Sequence, residues 1–235
     1  MNTEEIFNTF GGTFNKKMDN FEKFVPRQAI SRFLARYELF KMIKDVKGDI
    51  IECGVYHGGG VMAWAKLSTI LEPYALYRNI IGFDTFEGFP NIHDEDASEW
   101  KNRNLKEKAL NPNFDVKKEL EELIKNYDDN RYLGNFQKIE LVKGDAIKTI
   151  PEYVEKNPQL TISLLFLDFD LYNPTKIALK YLFPRVVKGG IVVFDEVNNK
   201  LWPGETKAIF EKFGGFNKLE IKKFNFEPKV AYMKV

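Results

Sequence analysis

The chain has 235 residues, of which 44% are hydrophobic, and this suits one large α/β domain with a helical extension. Its 35 basic and 34 acidic side chains nearly cancel, so no charge excess points to a nucleic acid partner. The single cysteine, Cys53, excludes an internal disulfide framework and a cysteine-rich zinc site. No signal peptide and no membrane-length apolar run is visible, so we expect a cytoplasmic protein with no membrane partner.

Helix and strand signals alternate from residue 26 onward. Residues 1–23 are weakly patterned, and a helix is predicted from Pro26 because proline suits a first helical turn. The remaining predicted elements, in chain order, are strand 49–53, helix 61–71, strand 79–84, helix 116–127, strand 138–142, a helix from Ala146, strand 161–167, a helix capped by Asn173 with Pro174 in its first position, strand 189–194, helix 204–213 and a hairpin of 219–224 and 230–235.

This alternation predicts a Rossmann-like α/β fold, with a mostly parallel sheet, helices on both faces and a C-terminal antiparallel hairpin. We expect residues 1–47 to form an N-terminal arm and helix, and residues 48–235 to form the main domain. The polar segment 91–137 is too long for an ordinary connection, so it is predicted to be an insertion that acts as a lid or an oligomer contact.

Glycines and acidic residues stand at the ends of the predicted parallel strands, where open α/β sheets bind ligands. The first such turn contains Glu52, Gly54 and Gly58, and its glycines let a ligand approach the backbone closely. Its Glu-x-Gly-x-x-x-Gly register suits a cationic sulfonium amino acid better than a pyrophosphate. Residues 58–63 also satisfy a weak G-x-G-x-x-A dinucleotide pattern, which begins several residues after the strand end.

Two further acidic residues end the second and third predicted strands. Asp84 is placed to accept both ribose hydroxyls of an adenosine, which fits NAD and S-adenosylmethionine equally. Asp145 has two interpretations: it accepts the adenine amino group, or it caps the helix that begins at Ala146.

A cluster of carboxylates is predicted where the fourth and fifth strands end. Asp168 and Asp195 end neighbouring strands, and Glu196 adds a third carboxylate. Such groups repel one another unless a cation or a proton lies between them, and oxygen ligands favour Mg²⁺ or Ca²⁺ over zinc. The alternative is that Asp168 and Asp170 cap the following helix, a role that Asn173 is expected to fill.

Four motifs together resemble the macrocin O-methyltransferase family, whose members methylate sugar hydroxyls in macrolide, aminocoumarin and related pathways. They are IECGV at 51–55, GFDTFEGFP at 82–90, LDFDLY at 167–172 and FDE at 194–196. The resemblance runs from about Arg27 to Phe213, and the second motif is specific to the family. Residues 201–206, LWPGET, are similar to a subgroup that methylates the 3-hydroxyl of nucleotide-linked 6-deoxyhexoses.

The resemblance implies a class I, S-adenosylmethionine-dependent and Mg²⁺-dependent O-methyltransferase that acts on a sugar or nucleotide-sugar hydroxyl and forms a homo-oligomer. It assigns cofactor binding to Glu52, Gly54, Gly58, Asp84, Thr85 and Asp145, metal binding to Asp168, Asp195 and Glu196, and the general base to Asp170. Aromatic side chains and one histidine are candidates for acceptor contact: His57, Phe86, Phe89, Trp100 and Trp202. Two positions depart from the family, because Glu196 replaces a frequent aspartate and His57 a frequent arginine.

Three other functions remain open at this point. A catechol-like phenol is an alternative acceptor for the same metal site. A nicotinamide-dependent sugar enzyme usually needs a Tyr-x-x-x-Lys pair, and neither Tyr77 nor Tyr181 has a lysine four residues later. A non-catalytic binding protein is disfavoured by the intact set of carboxylates.

Overall fold

The computed structural model describes residues 1–9, 11–99 and 105–235. Within these residues the α-helices are α1 (Thr3–Thr9), α2 (Phe14–Met18), α3 (Arg27–Ile43), α4 (Gly59–Leu71), α5 (Val116–Asp129), α6 (Ala146–Lys156), α7 (Tyr172–Tyr181) and α8 (Pro203–Phe213). The strands are β1 (Asp49–Cys53), β2 (Ile80–Asp84), β3 (Ile139–Lys143), β4 (Ile162–Leu167), β5 (Val186–Phe194), β6 (Lys222–Lys223) and β7 (Ala231–Lys234).

The strands of the described residues form one sheet in the order β3-β2-β1-β4-β5-β7-β6. β1 to β5 pair in parallel, while β7 runs antiparallel to both β5 and β6. The predicted Rossmann-like α/β fold and its C-terminal antiparallel hairpin are therefore confirmed. The chain crosses from β3 back over the sheet to β4, so strand order reverses between β1 and β4, which is where such sheets bind ligands.

Successive residues of each central strand face opposite helical layers. On one face, Ile50 and Leu164 pack with buried residues of α3, α4 and α5. On the other face, Ile51 and Leu165 pack with buried residues of α6, α7 and α8. Burial of apolar surface on both faces explains why the central strands are apolar throughout. Among the helices of the described ranges, none combines the length and apolar character needed to cross a bilayer.

The start of α7 differs from the sequence prediction. The helix begins at Tyr172, two residues before Pro174, and its preceding residue provides no side-chain cap, so the assignment of Asn173 as N-cap is wrong. Asp96 supplies the missing acceptor, because its Oδ1 receives the backbone N–H of Tyr172 at 2.6 Å. Pro174 still lies in the first turn, where its lack of an N–H is tolerated.

Candidate functional site

A cavity of about 300 Å³ opens beyond the carboxyl ends of β1, β2, β3 and β4. Eight of the residues singled out from the sequence line it: Gly54, Asp84, Thr85, Phe86, Phe89, Asp145, Asp168 and Asp170. Residues 110 and 112 of the insertion contribute to the same wall. The cavity therefore lies at the edge of the sheet that the sequence predicts for a ligand.

Two glycines shape the turn between β1 and α4. Gly54 has φ +92°, and a Cβ there would overlap the carbonyl oxygen of Asp168, so glycine is required for β1 and β4 to end side by side. Gly58 has φ +82°, and a Cβ there would overlap Leu120 of α5. Gly58 is not among the cavity-lining residues, so its direct role in the structure is to let the insertion helix pack.

Asp84 holds the turns around the cavity through backbone hydrogen bonds. Its Oδ2 accepts from Val55 N at 2.7 Å and from Tyr56 N at 2.8 Å, and its Oδ1 accepts from Phe86 N at 2.6 Å. Tyr56 and Phe86 have φ values of 53° and 57°, a left-handed conformation that needs such support. Each carboxylate oxygen has two acceptor positions, so Oδ1 keeps one free of these contacts.

Thr85 and Asp145 line the cavity and also stabilise local backbone. Thr85 Oγ1 donates to the carbonyl of Gly88 at 2.6 Å, which fixes the loop after β2. Asp145 Oδ1 accepts from Ile147 N at 3.0 Å and caps α6. The capping interpretation of Asp145 is thus present in the structure, and its other oxygen stays available to a ligand.

Glu52 lies behind the turn rather than on the cavity wall. It is 2% exposed, accepts from Trp64 Nε1 at 2.6 Å, and leaves no room for a Cβ on Gly60. Burial raises the pKa of Glu52 to about 7, against the opposing effects of Arg36 and the Trp64 hydrogen bond.

An arginine that the sequence analysis missed joins the ends of β4 and β5. Arg32 of α3 places Nη2 3.2 Å from Asp168 Oδ2, and its Nη1 forms an ion pair with Asp195 Oδ1. The backbones of both aspartates are held by the neighbouring strand, with Asp168 N donating to Cys53 O at 2.8 Å. No residue pattern marked Arg32, because its contact depends on how α3 lies across the sheet.

The carboxylates near Arg32 remain crowded. Burial, and then repulsion from Asp195, raises the pKa of Asp168 well above its ordinary range, although Arg32 opposes the shift. Burial, Glu196 and Asp195 raise the pKa of Asp170 to about 8, and burial with Asp195 raises that of Glu196 to about 7. One guanidinium therefore does not neutralise the cluster.

Glu205, also missed from the sequence, supports the loop after β5. It is fully buried, and its Oε1 accepts from the backbone N–H of Glu196 at 2.8 Å. Burial raises the pKa of Glu205 well above its ordinary range. Asn199 Nδ2 donates to Glu196 Oε2, so both the backbone and the side chain of Glu196 are held in place.

One feature of this cluster favours a metal ion, and two features oppose it. The donors are all oxygen atoms, as Mg²⁺ prefers. Within the described ranges, however, no three or more acidic, histidine or cysteine side chains are arranged to hold a metal. Arg32 lies between Asp168 and Asp195 instead. The magnesium site predicted from Asp168, Asp195 and Glu196 stays a prediction.

The aromatic candidates for acceptor contact occupy different places. Phe89 lines the cavity and meets Trp202 edge to face, with ring centroids 5.6 Å apart, so Trp202 lies behind Phe89. His57 is exposed beside Tyr56 and Phe114 and does not line the cavity. Trp100 lies outside the described residues.

The geometry gives no support to a nicotinamide site. The glycines at 58–60 do not line the cavity. The chain does contain Tyr-x-x-x-Lys pairs that the sequence analysis overlooked, at Tyr37–Lys41 and Tyr172–Lys176. Neither pair lines the cavity, and the Tyr172 hydroxyl contacts Glu211 of α8 and accepts from Lys176 at 3.1 Å.

Comparison with known proteins agrees with this fold. The structure superposes on a crystal structure of CalS11, described as a calicheamicin methyltransferase, with a TM-score of 0.92 and 31% identity over 99% of this chain and 89% of that one. An apo structure of CalS11, described as TDP-rhamnose 3'-O-methyltransferase, gives a TM-score of 0.83 at 29% identity, covering 99% and 90% of the two chains. The fold is that of the Rossmann-like methyltransferases.

The family model for macrocin O-methyltransferase (TylF) matches residues 29–223, and the chain belongs to this family. It is 29% identical over 152 residues to mycinamicin III 3''-O-methyltransferase of Micromonospora griseorubida, covering 64% of this chain and 56% of that protein. It is 26% identical over 157 residues to demethyldecarbamoylnovobiocin O-methyltransferase of Streptomyces niveus, covering 65% and 53%. The match thus spans about half the length of these curated relatives.

Proposed function

We propose that the chain is an S-adenosylmethionine-dependent O-methyltransferase whose acceptor is a sugar hydroxyl, carried by a nucleotide-linked 6-deoxyhexose. The observation that carries the proposal is the cavity at the carboxyl edge of the sheet, where Asp84, Asp145, Asp168 and Asp170 converge in a chain of the macrocin O-methyltransferase family. The description of CalS11 as a TDP-rhamnose 3'-O-methyltransferase supports the choice of acceptor.

The residues after β1, β2 and β3 fit a nucleoside and an amino acid. Asp84 Oδ1 keeps an acceptor position for a ribose hydroxyl, and the second oxygen of Asp145 can receive an adenine amino group. Gly54 lines the same wall and lets a ligand approach the backbone. Glu52 and Gly58 contribute by shaping the turn from behind. When bound, S-adenosylmethionine supplies the methyl group.

The carboxylates after β4 and β5 fit the acceptor side of the reaction. Asp170 lines the cavity from a left-handed backbone position (φ 62°). In the proposed reaction it takes the proton of the acceptor hydroxyl while the hydroxyl oxygen bonds to the methyl carbon and the carbon–sulfur bond of the donor breaks, with S-adenosylhomocysteine as the leaving group. Asp168, Asp195 and Glu196 would hold a divalent cation once Arg32 has left. When bound, such a cation lowers the pKa of an acceptor hydroxyl.

The insertion and the N-terminal segment would complete the site. Residues 91–137 act as a lid in this proposal, because residues 110 and 112 of the insertion line the cavity. Residues 48–235 form the catalytic domain, and residues 1–47 add an arm and a helix whose Arg32 faces the carboxylates. A homo-oligomer remains our expectation.

The acceptor is tested by incubating the protein with S-adenosylmethionine, Mg²⁺ and one of three acceptors: TDP-rhamnose, free rhamnose or catechol. Mass spectrometry should find a singly methylated TDP-rhamnose as the main product, and little product from the other two. Methylation of catechol alone would contradict the sugar acceptor. Methylation of free rhamnose in preference to the nucleotide sugar would contradict the nucleotide-linked one.

A further inference from the structure

We propose that Arg32 is a built-in competitor of the divalent cation: it holds Asp168 and Asp195 together while no metal is bound, and it must leave them before a metal binds. The inference rests on the proposed cation site. It adds that Arg32, which lies outside the predicted catalytic domain, sets the cation concentration at which the site becomes occupied.

The contacts of Arg32 place its charge between the two predicted ligands. Its two terminal nitrogens reach different aspartates, Asp168 at 3.2 Å and Asp195 in a closer ion pair. Its guanidinium carbon lies 5.9 Å from the ring centroid of Phe166, the penultimate residue of β4. A cation that bridges the same carboxylates would occupy the space of the guanidinium, so the two cannot be bound together.

A guanidinium is a poorer counter-ion for this cluster than a divalent cation. Arg32 brings one positive charge, while Glu196 and Asp170 add further carboxyls close to Asp195. A small divalent cation brings twice the charge and binds oxygen at about 2.0–2.1 Å, so it can displace the guanidinium.

The first half of α3 is the less buried half of the helix. The buried residues of α3 begin at Ala35, and residues before it are exposed or half-buried. Ser31 Oγ donates to Glu227 Oε2 at 2.7 Å, which places a buried carboxylate beside the first turns of the helix. Glu227 also interacts electrostatically with Arg32. A displaced guanidinium therefore has a second acidic partner close by.

This competition lowers the apparent affinity for metal by the fraction of molecules in which the aspartates are free of Arg32. Manganese binding, measured by electron paramagnetic resonance without cofactor or acceptor, tests it directly. The Arg32→Gln variant should bind Mn²⁺ about tenfold more tightly than the parent, a gain of about 1.4 kcal/mol. The matched control is Arg27→Gln, an exposed arginine at the start of the same helix, which should bind like the parent.

Equal or weaker Mn²⁺ binding by Arg32→Gln, with binding by the parent intact, would overturn the competition and leave the cation site standing. Absence of Mn²⁺ binding in the parent and in both variants would overturn the cation site and the competition together. Binding of S-adenosylhomocysteine by the same samples would then show that the methyltransferase proposal survives.

A second measurement uses the unmodified protein, in case the variant folds poorly. Phenylglyoxal modifies accessible arginines, and peptide mass spectrometry reports the rate at each position. Saturating Mg²⁺ should speed the modification of Arg32 several-fold and leave that of Arg27 unchanged. An unchanged or slower rate at Arg32 would show that metal binds without displacing the guanidinium.

Discussion

Single carboxylates in this protein differ in role because their oxygen atoms have different partners. Asp84 and Asp145 accept hydrogen bonds from backbone N–H groups, and these bonds fix both side chains in the cavity wall. Asp168 is paired with Arg32. Asp170 has a left-handed backbone conformation, lines the cavity and is half-buried. Of these four aspartates it is therefore the most suitable to accept a proton.

The Asp170→Asn variant tests that role. It should leave the affinities for S-adenosylhomocysteine and Mn²⁺ nearly unchanged, while turnover falls by roughly two to four orders of magnitude, which is the usual contribution of a general base. Asp168→Asn is the comparison, because it should weaken Mn²⁺ binding and be partly rescued by excess Mg²⁺. An Asp170→Asn enzyme as fast as the parent would remove Asp170 from the mechanism.

From the buried carboxyl of Glu52 we expect the free energy of unfolding to depend on pH. Its pKa of about 7 in the folded protein exceeds the ordinary 4.5, so the folded state binds the extra proton. The charged groups that act on it are Arg36, Arg32 and Asp84. Its contribution to the free energy of unfolding is therefore fully present below about pH 4.5 and is lost as the pH rises through about 7, on the order of 3 kcal/mol in total.

Urea unfolding across this pH range measures the effect. The Glu52→Gln variant should show a flatter dependence of the unfolding free energy on pH than the parent. Glu155→Gln, at an exposed position of α6, should follow the parent. The same slope for Glu52→Gln and the parent would mean that the buried carboxyl does not titrate in this range.

Sequence reasoning found residues whose position follows from chain order and missed those whose position follows from packing. Asp84 ends β2, and Asp168 and Asp170 follow β4, so alternation along the chain was enough to place them at one edge. Arg32 lies 136 residues before Asp168, and only the angle of α3 across the sheet brings the two together. Glu205 was missed for the same reason.

Among the structural elements, the insertion is attached to the rest of the domain by two contacts. Asp96, which is buried, accepts from Tyr172 N at 2.6 Å and from His93 N at 2.9 Å, so it ties the start of the insertion to α7. Leu120 of α5 packs where Gly58 leaves room. Between these two contacts in the chain, residues 110 and 112 line the cavity.

The Asp96→Ala variant should loosen this attachment. It leaves Tyr172 N without its acceptor, a loss of about 1–3 kcal/mol for a buried donor. Hydrogen exchange should speed up in residues 91–99, and acceptor should slow exchange across the insertion less than in the parent. Asp94→Ala, at an exposed neighbouring position, should behave like the parent. Strong protection of residues 105–115 in the parent, equal with and without acceptor, would contradict a lid.

The boundary of α7 shows why element ends are harder to predict than elements. A proline and an asparagine suggested a local cap at Asn173, but the helix begins at Tyr172 with an acceptor 76 residues away in sequence. The strands were predicted within a few residues because their apolar runs reflect burial on both faces. Only tertiary contact could show that Asp96 replaces a local cap.

In the molecule as a whole, the sheet topology brings the residues of the site together. The parallel order β3-β2-β1-β4-β5 brings residues from four separate strand ends around one cavity, and the helices on both faces fill the rest of the core. The fold class was predictable because alternating strands and helices permit few arrangements. The acceptor was not predictable to the same degree, because part of the cavity wall comes from residues 110 and 112 of the insertion.

Calorimetric titration with S-adenosylmethionine, S-adenosylhomocysteine and NAD tests the central claim, that this cavity binds a sulfonium nucleoside and serves methyl transfer. The account predicts binding of the first two ligands and none of NAD, with an affinity about tenfold lower in Asp84→Asn because a charged acceptor for the ribose is lost. Binding of NAD alone would contradict it.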